Sequence, residues 1–210
     1  MSYESAVVYI VEDDESFRPA LCHVLEARGF NVQAFPDAES FMQLPGEPGP
    51  GCLLLDVHLP GLNGLDLHAH LMKKCPSLPV IFLTAHGDIN MSVDAMKKGA
   101  FDFLVKPVRS ELLAAAIQHA FDHNLRLRQE HAEMRDLTAR YESLSPREKE
   151  VMALVVSGRM NKQTAAELGI TERTIKAHRA QIMTKMQLES LADLVRAAGR
   201  LMIDPSGTRS

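Results

Sequence analysis

The feature that most constrains this chain is the rhythm of its first 124 residues, where short continuous apolar runs alternate with amphipathic stretches: AVVYIV, SFRPALCHVLEARG, NVQAF, DAESFMQ, CLLLDV, GLDLHAHLMKK, LPVIFLTA, INMSVDAMKKG, AFDFLVKP and RSELLAAAIQHAFDHNL. Runs of Val, Ile and Leu without polar alternation predict strands buried on both faces, and the helices between them return the chain in right-handed crossovers. The order βαβαβαβαβα therefore predicts an α/β fold, a doubly wound parallel sheet of five strands. Gly29, Gly64 and Gly99 fall at the edges of helical stretches, where stop and turn chemistry is expected, and LPGEPGPG at residues 44–51 reads as a loop ahead of the third strand.

Beyond residue 124 the pattern changes. Leu125 to Arg140, LRLRQEHAEMRDLTAR, is charged and helix-prone, with Leu127, Met134 and Tyr141 seven apart; it reads as an extension of the preceding helix or as a short dimeric coiled coil. Residues 144–203 hold four short helical patterns and no strand pattern: SPREKEVMALVVSG, NKQTAAELG, TERTIKAHRAQIMTKM and SLADLVRAAGRLM. The expected organisation is an α/β domain at 1–124, a helical linker at 125–142, a small all-α four-helix domain at 143–205 and a tail at 206–210.

Charge separates the same two halves. Residues 1–124 carry 8 Lys+Arg against 16 Asp+Glu, a net −8, and residues 125–210 carry 15 against 11, a net +4. A basic half beside an acidic one suggests a nucleic-acid partner for the former, although two differently solvated surfaces give the same totals. No apolar run approaches the roughly 18 residues that span a bilayer, and the first residues lack the basic start and apolar core of a secretory signal, so a cytoplasmic protein without membrane contact is expected. Cys22, Cys52 and Cys75 are odd in number and scattered, and read as packing residues.

Four strands of the first half run into polar groups: VYIV into Glu12, Asp13 and Asp14, CLLL into Asp56, VIFL into Thr84, and FLV into Lys106. In a parallel sheet all carboxyl ends share one edge, so these groups converge on the crevice where such folds bind ligands. Carboxylates crowded there repel one another and require a divalent cation or a lysine. Oxygen-only ligands favour Mg²⁺, which keeps positions for water and phosphate oxygens. Asp56 then becomes a nucleophile toward phosphorus, with Lys106 neutralising charge on the equatorial oxygens and the Thr84 hydroxyl donating to one of them. Taken singly, Asp13 or Asp14 is equally read as a helix cap, Thr84 as a strand residue and Lys106 as a surface charge.

With these motifs in place, residues 5–124 resemble the receiver domain of two-component response regulators: the acidic run after the first strand, LLLDVHLPGLNG around Asp56, LTAHGD at Thr84, and FDFLVKP ending in Lys106 and Pro107. The resemblance implies phosphorylation of Asp56 by a partner histidine kinase. It makes Glu12 and Asp13 the acidic pair, Asp13 being the nearer metal ligand, with the His58 carbonyl completing the protein's share of the coordination. Glu12 stands where this family more often has aspartate, and its longer side chain puts the water-mediated contact in question. The resemblance also implies a cis bond from Lys106 to Pro107, which would fix the lysine's aim, and a switch in which Thr84 moves inward and Phe103 follows. A strand phenylalanine such as Phe103 is equally a core residue.

In the C-terminal half, NKQTAAELGI and TERTIKAHRAQIMTKM give two helices joined by a Gly-Ile turn, with Thr171 at the N-cap of the second. Ile175, Ile182 and Met186 share an inward arc. Opposite them lie Arg173, Ala177, Ala180 and Thr184, flanked by Lys176 and Gln181. Small residues there permit close approach to base edges, and long basic ones suit a major groove. Arg179 sits nearer the apolar arc, from which its stem reaches a phosphate rather than a base. Lys162 is placed to neutralise a backbone phosphate. The segment Leu144 to Met202 resembles the LuxR-type helix-turn-helix of the FixJ/NarL family, and the chain looks closer to the FixJ branch. That resemblance implies base contacts at Lys176, Ala177 and Ala180, and a dimerisation role for SLADLVRAAGRL.

The combined expectation is a transcription regulator, not an enzyme in its own right, that binds double-stranded DNA as a homodimer when phosphorylated. A magnesium phosphohydrolase of the dehalogenase type is the rival from another class, but it needs a second aspartate two places after the nucleophile, where this chain has His58. A receiver that has lost phosphorylation is the other rival, against which the intact Asp13, Asp56, Thr84 and Lys106 set argues. His119 and His123, four apart on one helix, lack a third ligand nearby in sequence, and His68 and His70 face different ways; neither pair is read as a metal site.

Overall fold

The computed structural model describes residues 5–85 and 89–203; His86, Gly87 and Asp88 of the LTAHGD run and the expected tail at 206–210 lie outside the described residues. The chain folds as two compact units, Met1–Arg128 and Gln129–Ser210.

In the first unit, β1 (Val7–Val11), β2 (Asn31–Phe35), β3 (Gly51–Asp56), β4 (Val80–Thr84) and β5 (Asp102–Val105) form one parallel sheet in the order β2-β1-β3-β4-β5. Between and after them run α1 (Phe17–Glu26), α2 (Ala38–Met42), α3 (Gly64–Lys74), α4 (Ile89–Lys97) and α5 (Ser110–Glu142). The unbroken apolar strands are explained by two cores. Alternate residues Tyr9, Val11, Leu53, Leu55 and Phe82 pack with Phe41, Leu67 and Leu71. Their neighbours Val8, Ile10, Cys52, Leu54, Ile81 and Leu83 pack with Leu21, Leu25, Ile117 and Phe121. Each such fully buried side chain contributes about 1.5–3 kcal/mol, so neither face of β1, β3 or β4 tolerates a polar residue before the strand ends. The cysteines behave as packing residues: Cys52 is inside the second core, and Cys22 and Cys75 lie partly buried against the two cores.

The strand register brings the polar ends to one level. Val11 pairs with Leu55, Asp56 with Leu83, and Thr84 with Val105, so Glu12, Asp56, Thr84 and Lys106 arrive at one rim. Gly29 and Gly99 adopt positive φ after α1 and α4, as stops require, whereas Gly64 has a different role. It is the first residue of α3, capped by Asn63, and a Cβ there would meet the Asp56 carbonyl oxygen at 2.1 Å. The β3–α3 connection can fold closely over the end of β3 only because that Cβ is missing. At the other end of the sheet the 44–51 loop is tied to α5. Asn124 Oδ1 accepts from the Gly51 amide at 3.0 Å, and Arg128 Nη2 donates to the Pro48 and Gly49 carbonyls at 2.5 and 2.8 Å.

The second unit contains the last turns of α5 with α6 (Pro146–Val156), α7 (Asn161–Leu168), α8 (Glu172–Met186) and α9 (Leu191–Arg200). Helix α5 is unbroken from Ser110 to Glu142, so the charged stretch extends the preceding helix. Met134 and Tyr141 of the sevenfold spacing pack into the second unit's core, together with Leu137, which that spacing passes over. Val151, Met152, Ile175, Ile182, Met186 and Leu194 complete this core. Ser145 and Glu148 form a reciprocal capping box at the start of α6. Among the described residues no helix is long and apolar enough to cross a membrane.

Candidate functional site

Lys106 organises the rim. Its Nζ donates to Glu12 Oε2 at 2.6 Å and to Asp56 Oδ2 at 2.7 Å, and stands 4.4 Å from the centroid of the Phe17 ring. Glu12 and Asp56 are both buried, while Asp13 is exposed. One carboxylate oxygen from each of Glu12, Asp13 and Asp56 lies within 4.8 Å of the others. The His58 amide donates to Asp56 Oδ1 at 3.0 Å, so each oxygen of this carboxylate has a donor. Glu12, Asp13, Asp14, Phe17, Asp56, Ala85, Lys106 and Pro107 line an open cleft of about 480 Å³.

The electrostatics follow from crowding. Burial pushes the Glu12 carboxyl up to about 7; the hydrogen bond from Lys106 opposes this, and the neighbouring Asp56 charge adds to it. Burial alone would lower the Lys106 pKa, but its hydrogen bonds to Asp56 and Glu12 outweigh burial and hold the ammonium above the usual lysine range. One cation is thus shared between two buried acids.

The remaining expected residues fall into distinct places. Asp14 is the cap: its Oδ1 accepts from the Ser16 and Phe17 amides, both at 2.8 Å, which holds its carboxyl below the usual range. Thr84 ends β4 fully buried, and its carbonyl accepts from the Lys106 amide at 2.7 Å. The peptide bond from Lys106 to Pro107 is cis. Phe103 is half-buried, its ring 6.2 Å from that of Phe82. Phe17 and Arg18 were not among the expected site residues. Arg18 Nη1 donates to the Glu12 carbonyl at 2.6 Å and the Asp13 carbonyl at 3.3 Å, fixing the acidic run from α1. An arginine in the helix directly after an acidic run was the available signal.

The second candidate surface is α8. Thr171 caps it, accepting from the Thr174 amide at 3.2 Å, while Ile175, Ile182 and Met186 are fully buried. Arg173, Lys176, Ala177 and Ala180 are exposed on α8, as is Lys162 near the start of α7. Arg179 is half-buried and its Nη1 donates to Asn161 Oδ1 at 2.7 Å, tying α8 to the first residue of α7.

Two family descriptions match this chain: a response regulator receiver domain over residues 8–118 and the luxR family of bacterial regulatory proteins over residues 142–198. The chain belongs to the two-component response regulators. This response regulator is 44% identical over 203 residues to Nodulation protein W of Bradyrhizobium diazoefficiens, covering 97% of this chain and 89% of that one. It is 41% identical over 194 residues to Transcriptional regulatory protein FixJ of the same organism, covering 92% and 94%, in keeping with the likeness to the FixJ branch. Among solved structures, response regulator StyR superposes with a TM-score of 0.84 at 40% identity, over 93% of this chain and 98% of that one. The response regulator joins a receiver to a LuxR-type DNA-binding domain and is homologous to FixJ-type two-component transcription regulators.

Proposed function

We propose that Asp56 accepts a phosphoryl group from a sensor histidine kinase and that this modification promotes homodimerisation and DNA binding by the C-terminal domain. The observation that carries the reading is the shared lysine: Lys106 is bonded at once to Asp56 and Glu12, with Asp13 alongside. In the transfer, an Asp56 carboxylate oxygen attacks phosphorus in line, the P–N bond of the donor phosphohistidine breaks, and the imidazole leaves with the bonding pair and takes a proton. Lys106 keeps its positive charge beside the incoming oxygens, and Thr84 supplies a hydroxyl to one of them. Thr84 and Phe103 then relay the change, with Pro107 lining the cleft beside Lys106.

Three oxygen donors this close, with no nitrogen or sulfur ligand beside them among the described residues, fit a hard divalent cation. Asp13, Asp56 and the His58 carbonyl would hold Mg²⁺, with Glu12 as the second member of the acidic pair. When bound, the ion supplies charge neutralisation and a template for the phosphoryl oxygens. We place the receiver at 1–124, the linker at 125–142 and the DNA-binding domain at 143–205, in a cytoplasmic regulator rather than a turnover catalyst. On DNA, Lys176, Ala177 and Ala180 meet base edges, and Lys162, Arg173 and the capped start of α8 at Thr171 meet the backbone. Arg179, bonded to Asn161, serves the DNA contact by holding α8 against α7.

Incubation with a small phosphodonor and magnesium should add one phosphoryl mass to the protein and none to Asp56→Asn. Equal labelling of the variant would overturn the assignment.

A further inference from the structure

We propose that Arg140, near the end of α5, is a positioning residue for the DNA-reading helix: it sets where α8 stands without touching DNA. The inference rests on the reading of α8 given above.

The last carbonyls of a helix lack intrahelical partners. In α8 the turn that follows satisfies two of them, because the Gln187 amide donates to Met183 and Thr184 and the Leu188 amide donates to Met183 at 3.0 Å. The Met186 carbonyl is met instead by Arg140 Nη1 at 3.2 Å. Nη2 of the same guanidinium is paired with Asp136, one turn earlier on α5. A planar fork held on one side by its own helix and on the other by a carbonyl fixes the helix end in a way a flexible ammonium does not. The cation also faces the negative end of the α8 dipole. Its Nε is buried with no hydrogen-bond partner among the described residues, so the group tolerates an unmet donor to hold this position. With both Nη groups engaged inside the protein, Arg140 is not placed to serve as a phosphate contact.

Side-chain bonds among the described residues hold α8 to its neighbours: Arg179 to α7, Lys185 to α6 and Arg140 to α5. Arg140 acts at the far end. If α8 pivots about its capped start, a 1 Å shift at Met186 moves Ala180 by about 0.6 Å at a rise of 1.5 Å per residue. Base-edge hydrogen bonds do not survive such shifts unchanged, whereas phosphate contacts made by long basic side chains do.

The test uses the full-length chain and DNA selected by the wild type from a random pool. Arg140→Met, which keeps the aliphatic stem, should cut the preference for selected over random DNA about tenfold, leave random-DNA affinity and its salt dependence unchanged, and be partly rescued by Arg140→Lys. An unchanged preference overturns the proposal. So does a parallel fall on both DNAs with a shallower salt slope, the mark of a lost phosphate contact. Should Arg140→Met fail to fold, Asp136→Asn decides. It frees one side of the fork and should lower the preference about threefold, and no change would refute the role. A wild type that selects no sequence, or Lys176→Ala without effect, would remove the reading of α8 itself, independently of Arg140.

Discussion

Each unit of the molecule buries a glutamate against a lysine, and the two pairs behave in opposite ways. In the receiver, Lys106 approaches Glu12 at 2.6 Å, and in the helical unit Lys185 approaches Glu148 at 2.7 Å. Burial and the Asp56 charge push the Glu12 carboxyl up to about 7. Burial acts on Glu148 in the same sense but is outweighed by Lys185 and by the Ser145 hydrogen bonds, so its carboxyl stays below the usual range. The difference lies in the third partner. Glu148 accepts from Lys185 and also from the helix-cap amide of Ser145, whereas Glu12 shares its lysine with a second carboxylate. The first arrangement is satisfied and structural. The second is short of positive charge, which favours the binding of a cation.

Removing the lysines should expose this contrast most strongly. Lys106→Met leaves two buried carboxylates with no cation and should destabilise the receiver by about 3–5 kcal/mol above pH 7, the usual cost of breaking a buried pair. Lys185→Met should cost the helical unit only about 1 kcal/mol, because Lys185 is one-third exposed and Ser145 still donates to Glu148. Amide hydrogen exchange followed by mass spectrometry separates the two units in one sample. Equal losses in the two would erase the distinction.

The pH dependences should have opposite signs. The raised Glu12 pKa means that the folded receiver binds a proton more tightly than the unfolded chain, so its stability falls as pH rises from about 4.5 to about 7 and then levels. The depressed Glu148 pKa gives the helical unit stability that is present above about 4.5 and is lost as pH falls through the folded value. Denaturant titrations without divalent ions should show both trends, with Glu12→Gln flattening the first and Glu148→Gln the second. A further expected effect is on recognition. Lys176→Ala should weaken binding to selected DNA by about 1–3 kcal/mol if it reads a base edge, and this is measurable by fluorescence anisotropy.

Much of this was legible in the chain because parallel strands leave little choice: unbroken apolar runs fix the burial of both faces, and the residue after each run falls on one rim. Asp56, Glu12 and Lys106 were found that way. Asp14 was not separable from Asp13 by sequence, because capping depends on where the Ser16 and Phe17 amides point. Gly64 looked like a helix edge and is required by close approach to the Asp56 carbonyl. The bonds of Arg179 to Asn161 and of Arg140 to Met186 depend on how helices pack, which periodicity does not encode. The sevenfold spacing in α5 was open to a plain helix extension or to a seam between chains, and it did not show that Met134 and Tyr141 pack with Leu137 in the second unit's core.

The claim beneath all of this is that the receiver rim is short of positive charge. Magnesium titration at pH 8, followed by amide exchange in β3, measures it directly. Protection should rise with the logarithm of magnesium concentration above the dissociation constant, and rise again on adding beryllofluoride, in the wild type but far less in Asp56→Asn. Exchange in β3 that ignores both additions would contradict the account.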